Sequence, residues 1–193
     1  MANTCLEFKN ICMEFPGVKA LSDVSFAINT GETHALMGAN GAGKSTLIKI
    51  LARVYQQTSG DVILNGENLN KVTPGNIRDH GIEFIFQELE LVPGFTVAQN
   101  IMIGIEPRKG GMVDWKKMNE FAQKALDDFM PGVVDATESI DNLSVAKQQL
   151  VCIVRALSRN PKILVLDEPT SQLDPIAASD FLNTLRKINA ELG

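Results

Sequence analysis

Residues 38–45 read Gly38-Ala39-Asn40-Gly41-Ala42-Gly43-Lys44-Ser45, which fits G-x-x-x-x-G-K-[ST] at every fixed position. Glycines let a chain take positive φ and let successive amides converge on an anion, which bulky side chains block. In that arrangement Lys44 reaches the β- and γ-phosphates of a nucleotide and Ser45 offers its hydroxyl to Mg²⁺. The amides that open the following helix add partial positive charge at the same point. The pattern carries weight only between a strand and a helix. Thr33–Met37 is a short, mostly apolar run of strand length, and Leu47, Ile48, Leu51 and Val54 recur at helical spacing until Gly60. A strand over 33–37 and a helix after the loop are therefore expected.

With 193 residues and 45% hydrophobic content, the chain can bury one substantial core, or one core with a satellite subdomain. A net charge of -5 argues against the broad basic surface that sequence-independent nucleic-acid binding uses, so no nucleic-acid partner is expected. Cys5, Cys12 and Cys152 are scattered, with neither metal-ligand spacing nor the pattern of a disulfide framework, and fit a reducing cytosol. No apolar run approaches the roughly eighteen residues of a membrane span, and the N-terminus lacks a signal-peptide core, so any membrane role is expected to be peripheral.

Along the chain, apolar residues alternate at Leu6, Phe8, Ile11, Met13 and Phe15 and again at Val24, Phe26 and Ile28, with Pro16-Gly17 between, as in antiparallel strands. Asp61–Leu64 followed by Asn65-Gly66 reads as a strand ending in a hairpin turn. Thr73-Pro74 opens a short helix leading to Gly81, and Ile82–Phe86 reads as a second central strand. No clear strand pattern lies between Gln87 and Pro161. Trp115, Met118, Phe121, Ala122, Ala125, Leu126 and Phe129 mark one face of an amphipathic helix starting near Asp114. Ser144 caps a further helix that Asn160-Pro161 stops. Lys162–Leu166 reads as a buried parallel strand, and Asp174-Pro175 opens a last helix carrying Phe181, Leu182, Leu185, Ile188 and Leu192.

Asp167-Glu168 follows the apolar run Ile163–Leu166, at the strand end where open α/β sheets hold ligands. One carboxylate would hold the magnesium shell and the other would accept a proton from the attacking water; an acidic pair that merely caps a strand is the plainer alternative.

Gly38 to Ser45, Leu143-Ser144, Leu166-Asp167-Glu168-Pro169-Thr170 and Ser171-Gln172-Leu173-Asp174 occur in this order. In this the chain resembles the nucleotide-binding domain of ABC ATPases, over essentially its whole length. Leu143-Ser144-Val145-Ala146-Lys147-Gln148-Gln149 departs from the family's usual Leu-Ser-Gly-Gly-Gln and is similar to the variant in importers of the ribose, galactose and xylose type. Glu14–Leu21 and Gly41–Leu47 resemble the same subgroup.

The resemblance implies an α/β fold: a P-loop NTPase core with a mixed or parallel sheet, an N-terminal antiparallel β-subdomain and an inserted helical subdomain. Residues 1–193 would form one domain, with an ATP-binding core of 1–87 and 161–193 and a helical subdomain of 88–160. It implies ATP and Mg²⁺ as ligands. The nucleotide would be held by Gly38, Asn40, Gly41, Ala42, Gly43, Lys44, Ser45 and Thr46, with Phe15 stacked on adenine unless that ring is simply a core residue. Ser45, Gln87 and Asp167 would hold the metal, and Glu168, Gln87 and Lys44 would act in hydrolysis. Ser144 and Ala146 would close over the γ-phosphate held by an opposite ATPase domain, where a helix N-terminus suits an anion; Val145 and Ala146 in place of glycines restrict that approach. Asp174 matches the family's D-loop aspartate and equally a helix cap.

The family carries a switch histidine on a later strand, and the chain stops at Gly193 before any such strand. His34 and His80 precede Asp167 and read as a satisfied strand residue and a loop residue. The resemblance thus implies most of the first half of a two-domain importer ATPase. Its partners would be membrane permeases, a second ATPase domain and, indirectly, a periplasmic or extracellular sugar-binding protein. Its place would be the cytoplasmic face of the cell membrane. A nucleotide-binding module with little hydrolysis, and a soluble ABC protein outside transport, are the competing functions. The stretch between Gln87 and Leu143 has neither the long coiled coil nor the paired zinc cysteines that would favour the last.

Overall fold

The computed structural model describes residues 4–129, 131–171, 173, 175, 178–179, 182–183 and 185–186. The chain forms two compact units, one running to His80 and one starting at Gly81.

In the first unit, β1 (Thr4–Phe15) and β2 (Val18–Asn29) make an antiparallel hairpin about Pro16-Gly17. The other edge of β1 pairs antiparallel with β3 (Ser59–Leu64), which turns at Asn65-Gly66 into the two-residue β4 (Glu67–Asn68), giving the order β2-β1-β3-β4. Asn65 and Gly66 have φ of 49° and 85°, the pair of left-handed residues that a type I′ turn requires. The expected antiparallel strands are present, and the odd step in the apolar pattern of β1 has a local cause. Leu6 and Phe8, then Ile11 and Met13, are buried; the frame slips at Asn10, whose φ is 50°, where the register with β2 shifts. This is a bulge.

Helix α1 (Lys44–Leu51) buries Leu47, Ile48, Ile50 and Leu51. It ends at Ala52, well short of the expected Gly60, because Arg53 turns left-handed at φ 60°. The buried Arg53 guanidinium donates to the carbonyl of Asn70 (2.9 Å) and to Gln57 Oε1 (3.2 Å), and burial lowers its pKa from the ordinary arginine value. These bonds fix the chain where the apolar spacing alone would continue the helix.

Two further expectations fail here. Residues 33–37 are not a strand: Leu36 is 40% and Met37 91% exposed. A strand exists only where a neighbour takes its backbone groups, and none of the four strands of this unit pairs with the segment. His34 is accordingly satisfied outside a strand, by Glu32 at 3.0 Å and by stacking on Phe26. The bond to His34, and after it the Asn29 amide that the Glu32 side chain also accepts from, hold the Glu32 carboxyl below its ordinary value. The helix expected after Pro74 is a 3₁₀ turn, Ile77–His80; the six residues between Pro74 and Gly81 leave room for i to i+3 bonds such as Asp79 to Asn76 (3.1 Å).

The second unit begins with β5 (Ile82–Ile85) and continues with α2 (Val97–Met102), the short hairpin β6 (Arg108–Lys109) and β7 (Met112–Val113), α3 (Trp115–Phe129), α4 (Val145–Leu157) and β8 (Ile163–Leu166). Val97, Ile101, Met118, Leu126, Ile140 and Val151 belong to the apolar cluster that joins the three helices. Ile85 of β5 packs on Cys152, Ile153 and Ala156 of α4. The β6–β7 hairpin corrects the expectation of no strand between Gln87 and Pro161.

On α3 the expected apolar face is only partly right. Met118, Ala122 and Leu126 are buried, while Trp115 and Phe121 are 57% and 51% exposed. Phe121 lies about 100° around the axis from Ala122, and Trp115 precedes the first buried residue. β8 is parallel to β5, as expected, but half-buried rather than buried. Positions 175, 178–179, 182–183 and 185–186 are helical; Asp174, Phe181, Ile188 and Leu192 lie outside the described residues. Among the described residues no helix is long and apolar enough to cross a membrane.

Candidate functional site

The loop of residues 38–45 is built from one turn and one close approach. The Ala42 amide donates to the Ala39 carbonyl at 3.1 Å, and Gly41, third in that turn, has φ 82°, a value an L side chain resists. Gly43 then caps α1 at φ 88°, with no side-chain hydrogen bond to the cap. A Cβ on Gly43 would meet Leu21 Cδ2 at 2.6 Å and the Ala20 carbonyl oxygen at 2.7 Å. Only glycine lets the start of α1 press against β2.

The first intrahelical bond of α1 runs from the Leu47 amide to the Gly43 carbonyl, 2.9 Å; the amides of the turn before it point out along the axis at the helix's positive end. Lys44, the first helical residue, curls back so that Nζ donates to the carbonyls of Gly38 (2.9 Å) and Ala39 (3.1 Å). Gly38, Asn40, Gly41 and Ala42 are exposed, and Lys44, Ser45 and Thr46 half-buried. The arrangement presents one flexible cation and a ring of amides to solvent, the chemistry of an anion cradle.

Phe15 ends β1 and pairs with Val18 across the turn, at the same end of the hairpin as the Ala20–Leu21 segment that Gly43 touches. It is half-buried, edge-on to Tyr55 at 5.4 Å. Lys49 of α1 lies 5.6 Å over the Tyr55 ring. Tyr55, the chain's single tyrosine, went unnoticed in the sequence because no spacing links it to Phe15; only the early end of α1 brings it there.

The second cluster is set by the parallel pair β5–β8. Ile82 pairs with Ile163 and Ile85 with Leu166, and the Asp167 amide extends the ladder to the Ile85 carbonyl at 2.9 Å. Gln87, two residues past β5, and Asp167 and Glu168, directly past β8, therefore share one carboxyl edge. Asp167 is 6% exposed; Gln87 and Glu168 are exposed. Glu168 has φ 48° and accepts at its carbonyl from the Ser171 amide, 3.0 Å. A non-glycine residue held left-handed at a strand end is a sparsely populated state that surrounding structure must enforce.

Ser144 caps α4 with its hydroxyl 3.4 Å from the Lys147 amide, and Ala146 sits half-buried in the first turn. Gln148 ties this helix start to the preceding turn through the carbonyls of Ile140 (3.0 Å) and Leu143 (3.3 Å). Lys44, Ser45 and Phe15 thus belong to the first unit, and Gln87, Ser144, Ala146, Asp167 and Glu168 to the second.

Residues 21–171 match the ABC transporter family. The chain is 44% identical over 190 residues to a xylose import ATP-binding protein of Thermoanaerobacter pseudethanolicus, covering 97% of this chain and 37% of that protein. It is 43% identical to an arabinose import ATP-binding protein of Vibrio parahaemolyticus, covering 95% and 36%. A ribose import ATP-binding protein of Hahella chejuensis is 42% identical, with 98% and 38% covered. The chain spans little more than a third of the length of these relatives. Among solved structures, an ATP-binding cassette of an ABC transporter superposes with a TM-score of 0.85 at 29% identity, over 99% of this chain and 78% of the other. A dimeric cassette in a post-hydrolysis state with ADP and Pi gives 0.78 at 27%, over 96% and 83%.

Proposed function

The chain belongs to the ABC transporter family, with the α/β fold of its ATP-binding cassettes, and on that footing we propose that it binds and hydrolyses ATP to drive import of a monosaccharide. The observation that carries the reading is the cradle itself: left-handed Gly41 and Gly43, Lys44 at the helix start, and the close approach of Gly43 to β2. The relatives named for xylose, arabinose and ribose import support the substrate class.

In this reading residues 38–46 wrap the phosphates, and Phe15 supports the base. Lys44 exchanges its carbonyl partners for phosphate oxygens, a charge-assisted contact stronger than the ones it leaves. The Ser45 hydroxyl, the Asp167 carboxylate and the Gln87 amide oxygen are hard oxygen donors of the kind that suits Mg²⁺; bound there, the ion would neutralise charge on the phosphates. Glu168 accepts the proton of the attacking water. Ser144 and Ala146 contribute a helix start to the nucleotide of an opposite ATPase domain, in keeping with the dimeric solved relative. Closure and reopening of that pair would move membrane permeases through the segment around Gln87, which puts the chain on the cytoplasmic face of the membrane. A sugar-binding protein outside acts through the permeases. The ATP-binding core comprises 1–87 and 161–193, and 88–160 the helical subdomain.

One feature favours weak hydrolysis beside sound binding. Val145 and Ala146 place side chains in the first turn of α4, where glycines would leave the amides open to phosphate. Calorimetry with Mg-ATP beside a phosphate-release assay tests both readings: binding that Lys44→Ala weakens supports the cradle, and turnover decides between enzyme and binding module. Absence of Mg-ATP binding by the wild-type chain refutes the proposal.

A further inference from the structure

Two arginines, Arg155 in the last turn of α4 and Arg159 in the turn that follows the helix, grip the chain on either side of Gln87. Arg155 donates to the Glu90 carbonyl oxygen, and its Nη2 lies 3.9 Å from Glu90 Oε2. Arg159 Nε stands 3.7 Å from Glu83 Oε1, and the Glu83 side chain is only 7% exposed. Arg159 Nη2 also donates to the Ile103 carbonyl at 2.7 Å, which binds the end of α2 to the same guanidinium. Glu83 lies within β5, before Gln87, and Glu90 lies in the loop after it.

Each link has a physical reason to persist. A carboxylate buried as deeply as Glu83 keeps a cation beside it, because removing either partner strands the other's charge. The Arg155 contact to a backbone carbonyl fixes the path of the loop as well as a side chain. Beside Arg155, Cys152 and Ala156 of α4 pack on Ile85, so α4 and the strand leading to Gln87 are joined through one continuous face. The opposite end of α4 carries Ser144 and Ala146. A helix of thirteen residues transmits displacement along its length as a rigid rod, since its backbone bonds are internal.

We propose that Arg155 and Arg159 are positioning residues that couple Gln87 to the N-terminal end of α4, so that a movement of the Gln87 loop is delivered to Ser144 and Ala146. The inference rests on the reading above that Gln87 and Ser144 serve the nucleotide. The arginines touch neither nucleotide nor metal; they set the distance between two segments that do. Glu90 and Glu83 are the partners that make the linkage directional, one fixing the loop and the other the strand.

Hydrogen exchange on the chain with and without saturating Mg-ATP, run beside calorimetry, tests this. In the wild type, amides of 87–91 and of 145–148 are expected to change protection together. In Arg155→Gln and Arg159→Gln, affinity for Mg-ATP should stay within about threefold and the response at 87–91 should persist, while that at 145–148 falls about fivefold or more. Arg155→Lys, which keeps a donor and the charge, should restore much of it. Should either glutamine variant fold poorly, Glu90→Gln removes one partner at an exposed position, and a partial loss is expected. Variants that keep the full response at 145–148, or a wild type that binds Mg-ATP with no response there, overturn the coupling alone. A wild type that does not bind Mg-ATP overturns the functional reading and the coupling with it.

Discussion

The Lys44 ammonium lies 2.9 Å from the carbonyl oxygen of Gly38, so the lysine of the 38–45 loop closes onto the loop's first residue. The bond is exposed, and exposed hydrogen bonds contribute at the low end of about 0.5–1.5 kcal/mol. A charged donor to a phosphate contributes about 1.5–3 kcal/mol. Lys44→Ala should therefore cost under about 1 kcal/mol in urea unfolding yet weaken Mg-ATP binding on the order of tenfold to a hundredfold by calorimetry. A larger loss of stability than of affinity would make Lys44 a structural residue.

Gly41 and Gly43 should differ although both are left-handed. Gly41→Ala meets nothing within 4 Å and bears only the conformational penalty of about 1–2 kcal/mol. Gly43→Ala adds a clash with Leu21 and the Ala20 carbonyl, raising the cost to about 3 kcal/mol or more. Equal unfolding midpoints for the two variants would contradict the close approach of α1 to β2.

Glu168 is held left-handed at φ 48°, which favours glycine by about 1 kcal/mol. Glu168→Gly should thus raise stability while abolishing turnover. Glu168→Gln should bind Mg-ATP within about threefold of the wild type and lose about a hundredfold in phosphate release. Undiminished turnover in the glutamine variant removes Glu168 from the chemistry.

Burial pushes the Cys152 thiol up to about 11, with Arg155 opposing and Glu90 adding to the shift. The folded state therefore holds its proton where the unfolded state, titrating nearer 9, has released it. The stabilising effect is whole below about pH 9 and is lost as pH rises toward about 11. Wild type should lose stability across that window more steeply than Cys152→Ala, and Cys152 should react with thiol reagents more slowly than Cys5 or Cys12 at pH 8. Parallel pH profiles for the two proteins would contradict this.

What could be read from residues alone depended on how local the signal was. The start of α4 was legible because Ser144 and the apolar positions behind it lie within one stretch, and the β1–β2 hairpin because alternation flanks Pro16-Gly17. The capping box of Thr96 and Gln99 at α2 was equally local and had a readable S/T-x-x-Q signature. Gly110-Gly111 likewise signals the turn of the β6–β7 hairpin, whose strands are too short to alternate. Residues 33–37 have the composition of a strand, but composition cannot supply a pairing partner. The side chains of Arg155 and Arg159 reach residues distant in sequence, and no spacing rule connects an arginine in the turn after α4 with a carboxylate on β5. For the candidate site, the motifs supplied the residues to look at, whereas the left-handed state of Glu168 and the contact of Gly43 with β2 required coordinates.

The pairing of β5 with β8 has a consequence for the birth of the protein. Ile82 meets Ile163 only after the whole intervening helical stretch has left the ribosome, and such long closures are slow. Until then four residues that end fully buried wait in the open, exposed to neighbouring nascent chains. The apolar cluster shared by α2, α3 and α4 brings the two strands' ends near one another, which shortens the closure that remains once β8 has emerged.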